Sequence, residues 1–243
     1  MLRAATDLLL PIACISCDRP VGRLETGIVC GHCWSRARPL PAPRCERCGH
    51  PADRYSCRWC PLLPAFVRAA RSYCWIGTGT GSDIVHAFKY DGWRRAGAQM
   101  AHRMSRVAWP LDVVRERTAT VAVPLARQRE RERGFNQSAI LASELAVIWG
   151  IPAWNHALLR SRPTLSQTEL TPGERKGNVA GAFRVRRESA GSLAGAHIIL
   201  VDDIVTTGAT LRACSSALFH AGARTISYMT FGRAPASGDR IFQ

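Results

Sequence analysis

One stretch near the C-terminal end combines residue types that bind phosphate with residue types that bind sugar hydroxyls. A largely apolar run, residues 196–201, leads into Asp202 and Asp203, and a Thr-Thr-Gly-Ala-Thr turn at 206–210 then opens onto an apolar-periodic helix. The first N–H groups of a helix lack intrahelical partners and lie at the positive end of its dipole, so they attract a phosphate. Gly208 allows the backbone to wrap closely around that phosphate. The turn is therefore predicted to be a phosphate site.

The two carboxylates are predicted to bind something else. They would repel a phosphate, so they suit the hydroxyls of a sugar that carries it, and the whole stretch predicts a ribose 5-phosphate site. The predicted binding residues beside the carboxylates are Val205, Thr206, Thr207, Gly208, Ala209 and Thr210. The turn lacks the Gly-Lys-Ser/Thr ending of a P-loop, which excludes that kind of nucleoside triphosphate site. A buried strand with an ordinary Asx turn would explain the Asp pair but not the ten-residue pattern.

Residues 201–210 resemble the signature with which type I phosphoribosyltransferases bind phosphoribosyl pyrophosphate (PRPP). The resemblance implies that Asp202 and Asp203 hold the ribose 2′ and 3′ hydroxyls and that residues 206–210 hold the 5′-phosphate. It also implies Mg²⁺, which we expect to arrive mainly on the ligand because this ion keeps its waters and takes few protein carboxylates.

Eight of the ten cysteines form four Cys-x-x-Cys pairs near the N-terminus. They are Cys14 and Cys17, Cys30 and Cys33, Cys45 and Cys48, and Cys57 and Cys60. Each pair can grip one edge of a tetrahedral ion, so the count suits two structural Zn²⁺ ions. Pairing in chain order and an interleaved pairing both fit the spacing. The segment has little apolar content, so zinc is expected to supply most of its folding free energy, and disulfides are the rival explanation.

A second strand, loop and helix are predicted to bring basic side chains to the same edge of the sheet. A β-branched strand at 120–123 is followed by a loop at 127–137 and by a helix that stops at Gly150. Ligands of open α/β folds bind at the carboxyl ends of the strands. We expect Arg133 to fork onto a pyrophosphate there, and the alternating Arg and Glu residues before it to be a solvated surface.

Residues 160–183 form a long, polar and basic segment. Such a segment is typical of a lid or of a disordered connection, and we favour the lid. Arg175 or Lys176 would then close over a bound ligand and help to exclude water.

The chain is strongly basic, with 33 Lys and Arg against 18 Asp and Glu and a formal charge of +15. This excess indicates an anionic partner, either nucleic acid or a phosphorylated substrate. Only two of the basic residues are lysines, and a genome's nucleotide composition can also produce such a ratio. No window approaches the roughly 20 apolar residues of a membrane span, and we recognise no export signal, so we expect a cytoplasmic protein in which cysteines stay reduced.

Taken together, the motifs resemble the ComF family. They comprise the cysteine pairs, Lys89-Tyr90, Val123-Pro124, Arg133-Gly134-Phe135-Asn136-Gln137, Arg162-x-Thr164-x-x-Gln167, Arg175-x-x-Asn178 and the turn at 206–210. The resemblance implies an α/β protein of the type I phosphoribosyltransferase fold, with a central, mostly parallel sheet flanked by helices and a small N-terminal zinc-ribbon domain. It also implies an association with DNA uptake and natural transformation, and it adds Lys89 to the expected ligand-binding residues.

Three segments are expected on this basis. They are a double zinc ribbon over residues 10–62, a phosphoribosyltransferase-like domain over 66–233 and a loose tail over 234–243.

Two classes of function fit these expectations. As an enzyme, the protein would displace pyrophosphate from C1 of the ribosyl group with Mg²⁺ present, using Asp202, Asp203 and Arg133 as catalytic residues. As a binding module, it would hold a phosphoribosyl ligand or single-stranded DNA without turnover, or act as a scaffold for a helicase-like uptake partner.

Overall fold

The computed structural model describes residues 13–21, 28–51, 57, 59–90, 94–161, 181–235 and 239. Arg175 and Lys176 lie outside these ranges, as do residues 162–180 of the expected lid, and only the two ends of that segment, 160–161 and 181–183, are described. Within the described residues, no helix is both long and apolar enough to span a membrane.

A four-stranded parallel sheet forms the centre of the fold. Its strands are β1 (Val67–Trp75), β2 (Arg117–Ala122), β5 (His197–Val205) and β6 (Thr225–Arg233), in the spatial order β1-β6-β5-β2. All three pairings are parallel. Because helices cover both faces, the central strands are nearly continuous apolar runs, as parallel sheets require. A separate antiparallel pair consists of β3 (Leu158–Arg160) and β4 (Phe183–Val185).

The helices connect these strands and pack on both faces of the sheet. In chain order they are α1 (Gly31–Ser35), α2 (Thr80–Tyr90), α3 (Ala96–Ser105), α4 (Leu111–Glu116), α5 (Arg127–Arg133), α6 (Gln137–Trp149), α7 (Ala190–Leu193) and α8 (Ala209–His220). Single 3₁₀ turns occur at Cys60–Leu62 and Arg187–Ser189.

One face of the sheet packs against α2, α3 and α6. The fully buried side chains in this layer include Phe88, Met100, Leu141, Ile199 and Phe231. Close approach of α3 to α6 depends on Gly97, since an added Cβ would lie 2.5 Å from the Cγ2 of Ile140. On the opposite face, α8 and the β3–β4 pair form a second apolar cluster, in which Leu211 and Leu218 pack with Ile198 and Leu200.

The segment before α6 differs from the sequence prediction. A loop was expected over 127–137, but Arg127–Arg133 forms α5, which ends at Gly134 in the left-handed conformation with φ of 74°. None of the residues of α5 is buried, so it lacks the apolar stripe by which a sequence usually indicates a helix. Its side chains support one another instead, since Gln128 Nε2 donates to Glu132 Oε1 at 3.0 Å, one turn away.

The eight paired cysteines gather into two clusters in chain order. Cluster 1 contains Cys14, Cys17, Cys30 and Cys33, and cluster 2 contains Cys45, Cys48, Cys57 and Cys60. The sulfur atoms within each cluster lie within 4.8 Å of one another, which suits four ligands of one tetrahedral ion, and all eight are free thiols. One thiol in each cluster has a lowered pKa and so ionises more readily than a free cysteine. Although burial raises the pKa of Cys14 and Cys45, hydrogen bonds, chiefly from backbone N–H groups, outweigh it and lower both to about 7.

The segment around cluster 2 covers the open edge of β1. The amide of Ala70 donates to the carbonyl oxygen of Arg47 at 2.7 Å, and the amide of Leu40 donates to the carbonyl oxygen of Tyr73 at 3.0 Å. The guanidinium of Arg47 also donates to the carbonyl oxygen of Pro64 at 2.9 Å. An uncovered edge strand would be a template for aggregation, so the cysteine-rich segment satisfies backbone groups of the sheet itself.

Metal content tests the two clusters directly. Atomic emission on the purified protein should find two zinc ions per chain, one for each cluster. The Cys45→Ser/Cys48→Ser variant should retain one, because two thiolates do not close a tetrahedral site. Cys214→Ala, which removes a buried cysteine outside both clusters, should retain two. A cluster 2 variant that still holds two zinc ions would contradict the assignment.

Candidate functional site

The predicted phosphate turn lies where β5 meets α8. β5 ends at Val205, and Gly208 precedes the first residue of α8 with φ of 72°, in the left-handed region that favours glycine. The amide of Ala209 donates to Thr207 Oγ1 at 3.4 Å, which folds the turn back on itself. The first N–H groups of α8 have no acceptor within the helix and carry the positive end of its dipole. The geometry is suited to a phosphate group.

Asp203 is anchored to α2 through an ion pair. Its Oδ2 lies 2.7 Å from Lys89 Nζ, with both side chains largely buried, and its Oδ1 accepts from the amide of Ile204 at 2.7 Å. Lys89 was predicted to be a site residue from the family resemblance alone, 114 positions away in the sequence. The structure brings it into direct contact with the predicted ribose carboxylate.

Asp202 is anchored to α6 instead. Its Oδ1 accepts from Ser138 Oγ at 2.8 Å and from the amide of Asp203 at 2.9 Å. Burial and, after it, the negative charge of Asp203 raise the pKa of Asp202 to about 7, although the hydrogen bond from Ser138 and the charge of Lys89 oppose the shift. The adjacent carboxylates are therefore electrostatically different. Asp203 is paired with a cation, whereas the surroundings of Asp202 favour its neutral form.

Ser138 is a site residue that sequence reasoning missed. It lies in the first turn of α6, where Asn136 is the N-cap and accepts from the Ser138 amide at 3.0 Å. The side chain of Asn136 therefore caps α6. The cap fixes the start of α6 beside β5, and this placement gives the Ser138 hydroxyl its contact with Asp202. The sequence signal was the capping pattern itself, but it did not reveal the partner of the hydroxyl.

Arg133 lies at the end of α5, close to the end of α2. Its guanidinium donates to the Tyr90 hydroxyl and to Gln137 Oε1, both at 3.2 Å, and stacks over the Tyr90 ring at 4.9 Å. Among the described residues, none of the ion pairs involves Arg133. The side chain predicted to bind pyrophosphate is thus held in place by neutral partners that leave its charge uncompensated. One of these partners, Tyr90, follows Lys89 directly in the chain.

A cavity of about 340 Å³ adjoins the phosphate turn on the side of cluster 2. It is bounded by the turn, by the start of α8 and by the segment that joins the cysteine clusters to the sheet. Its lining residues include Trp59, Leu63, Thr206, Thr207, Gly208, Arg212, Tyr228 and Arg233. The segment around cluster 2 therefore forms a wall of the space beside the turn.

Two family models match the chain. A "Double zinc ribbon domain" matches residues 5–62, and a "Phosphoribosyl transferase domain" matches residues 95–241. The two matches agree with the cysteine clusters and with the parallel sheet, respectively.

Among curated relatives, "DNA utilization protein YhgH" of Escherichia coli (strain K12) is 31% identical over 235 residues, covering 90% of this chain and 96% of that protein. "Competence protein F" of Haemophilus influenzae is 27% identical over 227 residues, with coverage of 91% and 96%. "Competence protein ComFC" of Bacillus subtilis is 30% identical over 225 residues, with coverage of 85% and 84%. The chain therefore belongs to the ComF family, in which a double zinc ribbon precedes a phosphoribosyltransferase domain.

Proposed function

We propose that this protein binds PRPP with Mg²⁺ at the carboxyl end of the sheet and transfers its phosphoribosyl group, in a pathway of DNA uptake or use. One observation carries the proposal. Two adjacent carboxylates, each anchored to a different helix, lie directly before a left-handed glycine turn at the start of a helix. The names of the relatives, which refer to DNA utilization and competence, support the proposed pathway.

The proposed ligand divides between three groups of residues. Asp202 and Asp203 accept hydrogen bonds from the ribose hydroxyls, and residues 206–210 donate to the 5′-phosphate. The pyrophosphate lies toward Lys89 and Arg133, which reach this region from the ends of α2 and α5. Arg175 and Lys176 of the 160–183 segment complete the proposed set, as the sequence predicted. The carboxylates contribute acceptors for the hydroxyls, the turn contributes N–H and O–H donors for the phosphate, and the basic side chains contribute positive charge for the pyrophosphate.

The proposed reaction leaves charge for these side chains to stabilise. A nucleophilic group of the acceptor forms a bond to C1 as the bond from C1 to pyrophosphate breaks. In the transition state the ribosyl group gains positive character and the leaving pyrophosphate gains negative charge. Lys89 and Arg133 would stabilise the leaving group, while the carboxylates orient the ribose ring. Mg²⁺ bound with the ligand would supply further charge neutralisation to the phosphates. Losing one well-placed charge donor of this kind typically costs on the order of 100-fold in turnover.

Binding of single-stranded DNA is a second candidate function. The charge of +15 favours it, because neutralising phosphates with basic side chains drives such binding. This function does not require Asp202 or Asp203, so substitutions at the carboxylates distinguish it from PRPP binding.

Calorimetric titration of PRPP with Mg²⁺ into the zinc-loaded protein tests the proposed site. The Asp202→Asn/Asp203→Asn variant should bind at least about 100-fold more weakly, since two charged acceptors become neutral amides with one acceptor oxygen each. Glu144→Gln/Glu188→Gln neutralises two carboxylates outside the site and should bind like the wild type. Pyrophosphate release during the titration would identify turnover. Wild-type protein that does not bind PRPP, or a double Asp variant that binds it normally, would refute the proposal.

A stability measurement tests the unusual electrostatics of Asp202. Its pKa rises from 3.8 to about 7 on folding, so the ionised form costs stability that grows as pH rises through this window and is constant above it. Asp202→Asn should therefore raise the thermal midpoint at pH 8 by at least about 2 °C, and by less at pH 5.5. Asp203→Asn serves as the control and should give no such gain, because it removes the partner of Lys89. A lower midpoint for Asp202→Asn at pH 8 would contradict the raised pKa.

A further inference from the structure

A second cavity, of about 620 Å³, lies between the segment around cluster 2 and the end of α3. Four arginines line it, and we refer to it as the arginine cavity: Arg44, Arg71, Arg103 and Arg106. Its other walls include the aromatic side chains of Tyr73 and Trp109. None of residues 202–210 contributes to it, so it is separate from the phosphate turn.

Arg71 is a buried cation that lines both this cavity and the one beside the phosphate turn. The residue is only 6% exposed, and its guanidinium donates to the carbonyl oxygens of Glu46, Ala70 and Ala108 at 2.7 to 2.9 Å. These partners are neutral, so they satisfy its N–H groups without cancelling its charge. In the part of the chain that the structure describes, no carboxylate forms an ion pair with it.

Two of the other three arginines are also held in place by neutral groups. The guanidinium of Arg44 donates to the carbonyl oxygens of Leu40 and Pro41. The guanidinium of Arg103 stacks over the Trp34 ring at 4.5 Å. Arg106 is exposed at the C-terminal end of α3. None of these three takes part in an ion pair among the described residues.

Little negative charge faces this group. Glu46 lines the cavity, but its carboxylate is paired with Arg68 at 2.9 Å and is mostly exposed. Burial and the charge of Arg44 lower the pKa of Arg71, and the nearby sulfurs of Cys45 and Cys48 oppose this shift more weakly. Four like charges around one cavity repel one another, and an anion that enters it would relieve this repulsion.

We propose that the arginine cavity is an anion site that takes the phosphate of a nucleotide, with Tyr73 and Trp109 as apolar surfaces for the attached base. The charge selects an anion, and the volume falls in the range of small-ligand pockets, well above what an inorganic phosphate needs. Flat aromatic walls beside cations are how proteins hold bases and phosphates together. The nucleotide arrives either free or as part of a single strand, since both present the same chemistry.

Arg106→Glu tests this site with the least disturbance, because Arg106 is exposed and its side chain makes none of the hydrogen bonds found in the described residues. Arg115→Glu is the matched control, with the same charge change at an exposed position of α4 that lines neither cavity. Thymidine monophosphate is titrated by calorimetry, and a labelled oligothymidylate of about 16 nucleotides by fluorescence anisotropy. Zinc content and circular dichroism confirm that each variant is folded.

Arg106→Glu should weaken binding at least about tenfold, the loss expected for one charge-assisted phosphate contact, while Arg115→Glu and Arg106→Lys stay close to wild type. Weakened binding of the mononucleotide would identify a site for free nucleotide. Weakened binding of the oligonucleotide alone would identify a site for a strand. Equal loss in Arg106→Glu and Arg115→Glu would indicate attraction by overall charge and overturn the proposal, as would a wild-type protein that binds neither probe.

Nucleotide binding in the arginine cavity is expected to be independent of the proposed PRPP site. Asp202→Asn/Asp203→Asn should keep nucleotide binding in the arginine cavity, and Arg106→Glu should keep PRPP binding. A double Asp variant that loses both ligands would overturn the separation of the two sites.

Discussion

Two neighbouring carboxylates at the end of a buried strand repel each other and lose hydration, so their charged forms need compensating groups from the surrounding helices. Lys89 supplies a cation to Asp203, and Ser138 supplies a hydroxyl to Asp202. The pKa of Asp202 nevertheless rises to about 7, which shows that this compensation is incomplete. Such residual strain is common at binding sites, because a group that is not fully satisfied in the free protein gains from a ligand.

The cysteine-rich segment contributes more to the molecule than a metal-bound appendage would. Its backbone covers the edge of β1, and Arg47 and Arg71 tie it to the sheet and to the connection after α3. It also forms one wall of each of the two cavities. Folding of this segment around zinc therefore shapes the space beside the phosphate turn as well as the arginine cavity, although the phosphate turn itself belongs to the sheet.

The sequence was most informative where one short segment carries the whole signal. Three local patterns were found in their predicted places: the strand with its two carboxylates, the glycine turn and the cysteine pairs. The cysteine pairs form two clusters in chain order, which was one of the two arrangements that the spacing allowed. The helix α5 was missed because it packs no apolar face. Ser138 was missed because its partner lies 64 residues away, and no local pattern specifies that contact.

The arginine cavity was out of reach for a related reason. Its four cations come from the cysteine-rich segment, from β1 and from α3, so only the tertiary structure assembles them. The formal charge of +15 for the whole chain indicated an anionic partner but not where on the protein that partner binds. The net charge does not show which basic side chains lie together, because the fold decides that.

A crystal structure of the zinc-loaded protein with PRPP and Mg²⁺ would test the proposed site. We expect the ribose hydroxyls within hydrogen-bond distance of Asp202 and Asp203, the 5′-phosphate on the amides of residues 206–210 and the pyrophosphate toward Lys89 and Arg133. PRPP bound elsewhere on the protein, or with its pyrophosphate in the phosphate turn, would contradict it.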